Sequence, residues 1–339
     1  MAIQTIFLRS EVYENEYRCA IVPNDIKFLN NIGFTVIVES SDTRCFSNNE
    51  FEKAGAIITN KSWDNFSDCL IIGIKEIDNI EKLNSHTHIY FSHSYKNQTG
   101  ANTLLKNFKD SNSYLYDLEY FVDKQNKRLI AFGYYAGFIG ASLGLLQYLK
   151  KTNGDKLSKI KYWNSSQEIL NNINNYKIPE KIKICIIGPN GRCGKGAQAL
   201  FNALGINFIS LSSSESKNNL ESYDIVVNCI YLNKPVGTWY DFKTPFYKNT
   251  VIVDVSCDYT NLNNPIKLYN SKTTWEEPVF AYNDLVDIIA IDNLPSLLPL
   301  ESSTEFSSLL INLLAQYHTD PNSYWANNLQ TFRNKIKDI

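Results

Sequence analysis

No two of the seven cysteines (Cys19, Cys45, Cys69, Cys185, Cys193, Cys229 and Cys257) form a C-x-x-C pair, and the four histidines are scattered. That arrangement offers no zinc spacing, so no metal is expected and the thiols read as buried or idle. A dominant charge is missing too: 33 basic against 35 acidic residues leave a net charge of −2. Nucleic acid and anionic membranes select a basic surface, so neither is expected as a partner. Met1-Ala2-Ile3-Gln4-Thr5 has no basic start and no apolar signal core. The most apolar stretch, Tyr134 to Leu149, is broken by glycines and Gln147 and is too short to cross a bilayer. A cytoplasmic setting is the expectation. No internal repeat is evident. What remains is a balanced chain of 339 residues, 44% hydrophobic and 20% charged, long enough for two domains with cores of their own.

The most informative stretch is Lys183-Ile184-Cys185-Ile186-Ile187-Gly188-Pro189-Asn190-Gly191-Arg192-Cys193-Gly194-Lys195-Gly196, followed by Ala197-Gln198-Ala199-Leu200-Phe201. Four consecutive apolar residues suggest a strand buried on both faces, and the Ala/Leu/Phe pattern behind the glycines has helical spacing. Strand, glycine turn and helix together form the context a dinucleotide fingerprint requires, here as G-x-x-G-x-x-G. Glycines let the backbone approach a pyrophosphate, whose charge meets the N–H groups and dipole of the helix start. A glycine-rich turn serving only the fold is the alternative reading of this stretch taken alone.

Before it, strands and helices alternate, which predicts a parallel α/β domain. Ile3 to Leu8 is an opening strand that delivers Arg9 and Glu11 to its end. Pro23-Asn24-Asp25 starts a helix that Gly33 stops, Phe34 to Glu39 is a strand, and Ser47-Asn48-Asn49-Glu50 has capping-box form. Further strands are expected at Cys69 to Ile74, His88 to Phe91 and Tyr114 to Tyr116, with a polar helix from about Thr99 to Phe108. Parallel sheets place their chemistry beyond the carboxyl ends of strands. There stand Lys75 and Glu76, then His93 and Lys96, then Asp117 and Glu119, with Arg18 after the first strand and Lys127-Arg128 further on. Any one of these is ordinarily a solvated loop charge. Three consecutive strand ends bearing Lys-Glu, His and Glu point instead to proton transfer, since Lys and His are groups whose pKa values can be brought near neutrality. A small-residue helix opens at Phe132-Gly133-Tyr134-Tyr135-Ala136-Gly137, suited to close approach of a backbone or ligand. Beyond the fingerprint, Asn207 to Leu211, Ile225 to Ile230 and Val251 to Val255 are strands, and two amphipathic helices (about Thr304 to Tyr317 and Asn322 to Lys337) close the chain.

Gly73-Ile74-Lys75-Glu76, Phe91-Ser92-His93-Ser94-Tyr95-Lys96, Leu115-Tyr116-Asp117-Leu118-Glu119, Ala131 to Phe138, Gly188 to Gly196, Asn228-Cys229-Ile230-Tyr231-Leu232, Val253-Asp254-Val255-Ser256 and Ile291-Asp292-Asn293-Leu294-Pro295-Ser296-Leu297-Leu298-Pro299 resemble, in order, the lysine-forming saccharopine dehydrogenases of fungi, relatives of alanine dehydrogenase. The likeness extends from about Arg9 to Phe306. It implies two Rossmann-like α/β domains with parallel sheets and an inter-domain active-site cleft: residues 1–133 plus about 304–339 for substrate and catalysis, and 134–303 for the dinucleotide. It implies reversible, NAD-dependent oxidative deamination of saccharopine to L-lysine and 2-oxoglutarate through an imine. By motif, Lys75 and His93 resemble the acid–base pair, Glu76 and Glu119 the carboxylates that tune it, and Arg18 and Arg128 the arginines that hold substrate carboxylates; Lys96 shares their cleft. Gly188, Gly191, Arg192, Cys193, Gly194, Ser212, Cys229, Tyr231, Asp292 and Leu294 match the cofactor side. The partners implied are a small amino acid and a 2-oxo acid, in a monomer or small homo-oligomer.

The chain departs from the family at several places. The acidic residue that ends the second strand of a dinucleotide site and holds the ribose hydroxyls is here Ser212, in Leu211-Ser212-Ser213-Ser214-Glu215. NADP is therefore the alternative to NAD, with Ser213, Ser214 and Lys217 as donors to a phosphate and Glu215 as an opposing charge. Asn293 and Leu300 replace a family His and Arg. Cys193 and Cys229 match cysteines that can pair in the family; free thiols are expected in a reducing compartment. Other readings stay open: an opine-type dehydrogenase of another amino acid and 2-oxo acid, plain alanine-dehydrogenase chemistry, or a nucleotide-binding protein that has lost turnover.

Overall fold

Short runs rich in Ile, Val, Leu and Cys form strands whose residues are almost all buried, as central parallel strands require. The computed structural model describes residues 3–95, 100–212, 215, 218–232, 235–317, 323–337 and 339. The chain divides into two compact units, one formed by Met1–Ala131 with Pro299–Ile339 and the other by Phe132–Leu298.

In the first unit the elements are β1 (Thr5–Leu8), α1 (Pro23–Asn31), β2 (Thr35–Glu39), α2 (Asn48–Lys53), β3 (Ile57–Thr59), β4 (Cys69–Ile72), β5 (Thr87–Tyr90), α3 (Ala101–Asp110) and β6 (Tyr114–Asp117). The sheet runs β3-β2-β1-β4-β5-β6 with every pair parallel, so all six carboxyl ends lie along one edge. β1 begins at Thr5 rather than Ile3, because its pairing with both neighbours starts there. Ser47 caps α2 with the reciprocal Glu50 bond expected of a capping box. β3 was not anticipated: three residues with one exposed carry too little pattern to read.

The second unit comprises α4 (Gly133–Thr152), α5 (Ser166–Asn174), β7 (Ile184–Ile187), α6 (Arg192–Ala203), β8 (Ile209–Leu211), β9 (Ile225–Asn228), β10 (Thr250–Asp254), β11 (Phe280–Ala281) and β12 (Val286–Ile289). Its order is β11-β12-β10-β9-β7-β8, parallel except for the two-residue edge strand β11. The glycines of α4 and α6 bring the two helices together backbone to backbone. A Cβ on Gly137 would lie 1.8 Å from the carbonyl oxygen of Cys193, and one on Gly196 would lie 1.8 Å from that of Tyr134.

The last helices, α7 (Pro299–Leu314) and α8 (Tyr324–Ile336), belong to the first unit. α7 starts earlier than expected because Pro299 sits at its first helical position, where a missing N–H costs nothing. The hydroxyls of Ser303 and Ser307 accept the backbone N–H of Cys19 (3.0 Å) and Val22 (3.1 Å), and the Asn328 amide on α8 donates 2.8 Å to the carbonyl of Asp117. No helix among the described residues is long and apolar enough to cross a membrane.

Candidate active site

Three adjacent carboxyl ends of the first sheet carry the candidate chemistry. β4 leads through Gly73 and Ile74 to Lys75 and Glu76; β5 leads to His93, and β6 to Glu119. The backbone at His93 is left-handed, with φ of 49°, which turns the chain sharply just past the strand. His93 Nδ1 lies 3.8 Å from Glu119 Oε1, and Arg128 Nη2 donates to that same oxygen at 2.8 Å. The Glu119 side chain is 9% exposed, against 44% for His93 and 31% for Arg128. One shielded carboxylate thus sits beneath an imidazole and a guanidinium that are both more exposed.

Behind Glu119 lies Asp117, fully buried at the end of β6. Its Oδ1 accepts the Glu119 N–H at 2.8 Å, and its Oδ2 accepts the Ser92 hydroxyl at 2.5 Å; Ser92 in turn contacts the Ser94 hydroxyl at 2.7 Å. Burial pushes the Asp117 carboxyl up to about 6, against the lowering effect of the Ser92 and Glu119 hydrogen bonds. The strand-end pattern singles out Asp117 without giving it a part in the site; its depth beneath Glu119 appears only once the chain is folded.

Arg18 is also buried, and its fork is engaged: Nε donates 2.7 Å and Nη2 2.5 Å to the two oxygens of Glu16. Burial would raise the Glu16 pKa, but the Arg18 guanidinium outweighs it and Lys75 adds to the lowering, so the carboxylate stays ionised. Glu16, absent from the expected set, therefore links Arg18 and Lys75 electrostatically. Tyr13 donates its hydroxyl to Glu76 Oε2 at 2.5 Å. Lys96 lies outside the described residues. Two further histidines are core groups: His86 and His88 stack edge-on against Trp63, and burial drives both pKa values down.

In the second unit the cofactor candidates follow the ends of β7, β8, β9 and β12. Gly188 has φ of +85°, and its N–H donates 2.9 Å to Leu211. Gly191 is the N-cap of α6; no side chain caps that helix, and a Cβ there would meet only the Gly188 carbonyl oxygen, at 3.7 Å. Open space above an uncapped helix start, shaped by Gly188, Gly191 and Gly194, fits a pyrophosphate. Arg192 and Cys193 open the helix. Cys229 follows β9 with its thiol pushed up by burial and by neighbouring Cys193, and no disulfide joins the two. Tyr231 is 62% exposed, Asp292 pairs with Lys272 at 3.8 Å, and Leu294 is a core side chain.

At the end of β8 the Ser212 N–H donates to the carboxylate of Glu215. A negative charge is thereby returned to the place where a dinucleotide site holds its acidic residue. Ser213, Ser214 and Lys217 lie outside the described residues. Among the described residues no group of three or more His, Cys, Asp or Glu side chains is arranged to hold a metal.

Residues 7–139 match the family model described as "Alanine dehydrogenase/PNT, N-terminal domain". The saccharopine dehydrogenase [NAD(+), L-lysine-forming] of Schizosaccharomyces pombe is 34% identical, with all of both chains aligned. That of Candida glabrata is 37% identical over 92% of this chain and 91% of its own. Among solved structures, an L-alanine dehydrogenase superposes with a TM-score of 0.72 at 13% identity, covering 98% of this chain and 99% of its own. A transhydrogenase from Sinorhizobium meliloti gives 0.66 at 16% identity, covering 91% and 92%.

Proposed function

We infer, from the premise that this chain belongs to the NAD-dependent, lysine-forming saccharopine dehydrogenase family, how its residues divide the work. The chain is an oxidoreductase acting on the CH–NH bond of a secondary amine, with NAD as cofactor. Its reaction is the reversible conversion of saccharopine, NAD and water to L-lysine, 2-oxoglutarate and NADH through an imine. NAD, when bound, takes up or supplies the hydride at the carbon that bears the nitrogen.

The rest is proton traffic and charge placement. Condensation requires a neutral amine to attack the oxo-acid carbonyl, loss of water from the resulting carbinolamine, and protonation of the reduced amine. Lys75 and His93 carry these protons. His93 reaches solvent and has Glu119 at 3.8 Å to orient and stabilise the imidazolium, which supports this role. Glu76, hydrogen-bonded to Tyr13, and Glu119 modulate the pair. Arg128, hydrogen-bonded to Glu119 through Nη2, binds a substrate carboxylate; Arg18 fixes Glu16 opposite Lys75 and supplies positive charge to the same end of the sheet. Lys96 joins them in binding the substrate. The first unit is the substrate and catalytic domain and the second the dinucleotide domain, with Gly188, Gly191, Arg192, Cys193 and Gly194 at the pyrophosphate, Ser212 at the ribose, and Cys229, Tyr231, Asp292 and Leu294 lining the remainder. Seven cysteines without a disulfide suit a reducing cytoplasm.

The observation that carries these roles is the convergence of Lys75, His93 and Glu119 at three consecutive strand ends. Following NADH absorbance across a panel of amines and 2-oxo acids tests it. Oxidation that needs both L-lysine and 2-oxoglutarate is the expected result; oxidation with ammonia and pyruvate instead would overturn it.

A further inference from the structure

We propose that Arg9 and Glu11 are positioning residues that clamp the backbone of Ile74, Lys75 and Glu76 from both sides. The clamp thereby sets where the Lys75 ammonium and the Glu76 carboxylate begin. β4 ends at Ile72, and its neighbours still hold the chain for two residues: Gly73 donates 3.0 Å to Ile89, and Ile74 accepts from Phe91 at 3.1 Å. Beyond that point sheet hydrogen bonding gives way to two buried side chains. The Glu11 carboxylate accepts the Ile74 N–H at 2.7 Å through Oε1 and the Lys75 N–H at 3.0 Å through Oε2. The Arg9 guanidinium donates to the carbonyls of Lys75 and, at 3.5 Å, Glu76. Arg9 and Glu11 are themselves paired at 3.5 Å, with side chains only 2% and 5% exposed. Two consecutive N–H groups and two consecutive carbonyls are thus held by one ion pair, a denser set of charge-assisted bonds than a surface loop needs.

Gly73 is an independent mark of the same device. A Cβ there would stand 2.2 Å from Arg9 Nε and 2.4 Å from Arg9 Cζ, so the guanidinium occupies the volume of the missing side chain. Arg9 reaches the Lys75 carbonyl by passing over residue 73, and only glycine leaves room. The Ser10 N–H donates 2.8 Å to Glu39, which ties the turn between Arg9 and Glu11 to the end of β2. A misplacement of about 1 Å at a proton-transfer group can cost about 10²-fold in rate, which is the advantage of such a brace.

The inference rests on the role given above to Lys75, and the test separates the two. Glu11→Gln, Lys75→Met and the double variant are compared in full-length protein for kcat, KM, NADH affinity and Tm. Glu11→Gln replaces one acceptor oxygen by a donor facing an N–H. It is expected to lower kcat about 30- to 100-fold, with NADH affinity unchanged and a raised solvent isotope effect. In the Lys75→Met background the same substitution is expected to cost less than about threefold, because the brace then has no ammonium to place. If Glu11→Gln does not fold, Glu11→Asp, which keeps the charge but is too short to span both N–H groups, takes its place in the same cycle. Unchanged kcat, or an equal loss in both backgrounds, would overturn the clamp while leaving Lys75 in its role. Near-native turnover of Lys75→Met would overturn the role, and the clamp with it.

Discussion

His93 Nδ1 faces Glu119 Oε1 at 3.8 Å, and that oxygen already accepts the 2.8 Å hydrogen bond of Arg128. With the roles proposed above, the imidazole that carries protons and the guanidinium that binds substrate would draw on one carboxylate, coupling proton transfer to substrate binding.

His93→Gln and Lys75→Met should each lower kcat by about 10²-fold or more, the usual worth of a positioned acid or base. Dinucleotide affinity should stay within about threefold, since neither residue is near the glycine turn in sequence or in its own sheet. Glu119→Gln should differ in kind: kcat falls through His93 and KM for the oxo acid rises through Arg128. Steady-state constants for the three variants check this, and a Glu119→Gln effect on kcat alone would break the coupling.

Asp117 gives a pH dependence of stability with a definite sign. Its carboxyl moves from the ordinary 3.8 up to about 6 in the folded protein, so between those values the folded state holds more proton than the unfolded one. The contribution is intact below about pH 4 and lost as pH rises through 6, a swing of about 3 kcal/mol at 1.36 per pH unit. Glu11 and Glu39 are raised by burial as well and act in the same sense. Comparing Tm of the native protein with that of Asp117→Asn isolates Asp117. The native protein's relative stability should be greater at pH 4 than at pH 7, and a difference independent of pH would contradict the assignment.

Much of this site is legible before folding because a parallel sheet announces its own chemistry. Fully apolar strands such as Cys69–Ile72 and Ile184–Ile187 are unmistakable, and whatever polar group ends them lies on the functional edge. That logic finds Lys75, His93, Glu119 and the glycine turn. It does not assign Asp117 or Glu16, because a carboxylate's role depends on what buries it. For Asp117 that includes Ser92, on the neighbouring strand end 25 residues away, and for Glu16 it is the Arg18 guanidinium, with Lys75 adding to it. Gly133 and Gly137 of α4 are visible as small residues, yet their partner, the first turn of α6, is fixed only by packing. β11 has two residues and no pattern at all.

The replacement of an acidic residue by Ser212 has a counterpart in Glu215, whose carboxylate accepts the Ser212 N–H. Placed there, it would accept bonds from ribose hydroxyls and repel a 2′-phosphate. Glu215→Gln should lower the ratio of kcat/KM for NADH over NADPH about tenfold, the equivalent of about 1.4 kcal/mol. An unchanged ratio would assign the choice of cofactor to other groups.

The central claim is that hydride passes to an imine formed between lysine and 2-oxoglutarate. The most direct measurement uses NADH deuterated at the transferring position, with L-lysine and 2-oxoglutarate, and locates the label by mass spectrometry and NMR. The label should appear in saccharopine, on the α-carbon that was the oxo-acid carbonyl, and not on the α-carbon of lysine. Label in 2-hydroxyglutarate would mean that the free ketone is reduced, and the account of Lys75 and His93 as the acid–base pair of an imine reaction would fail.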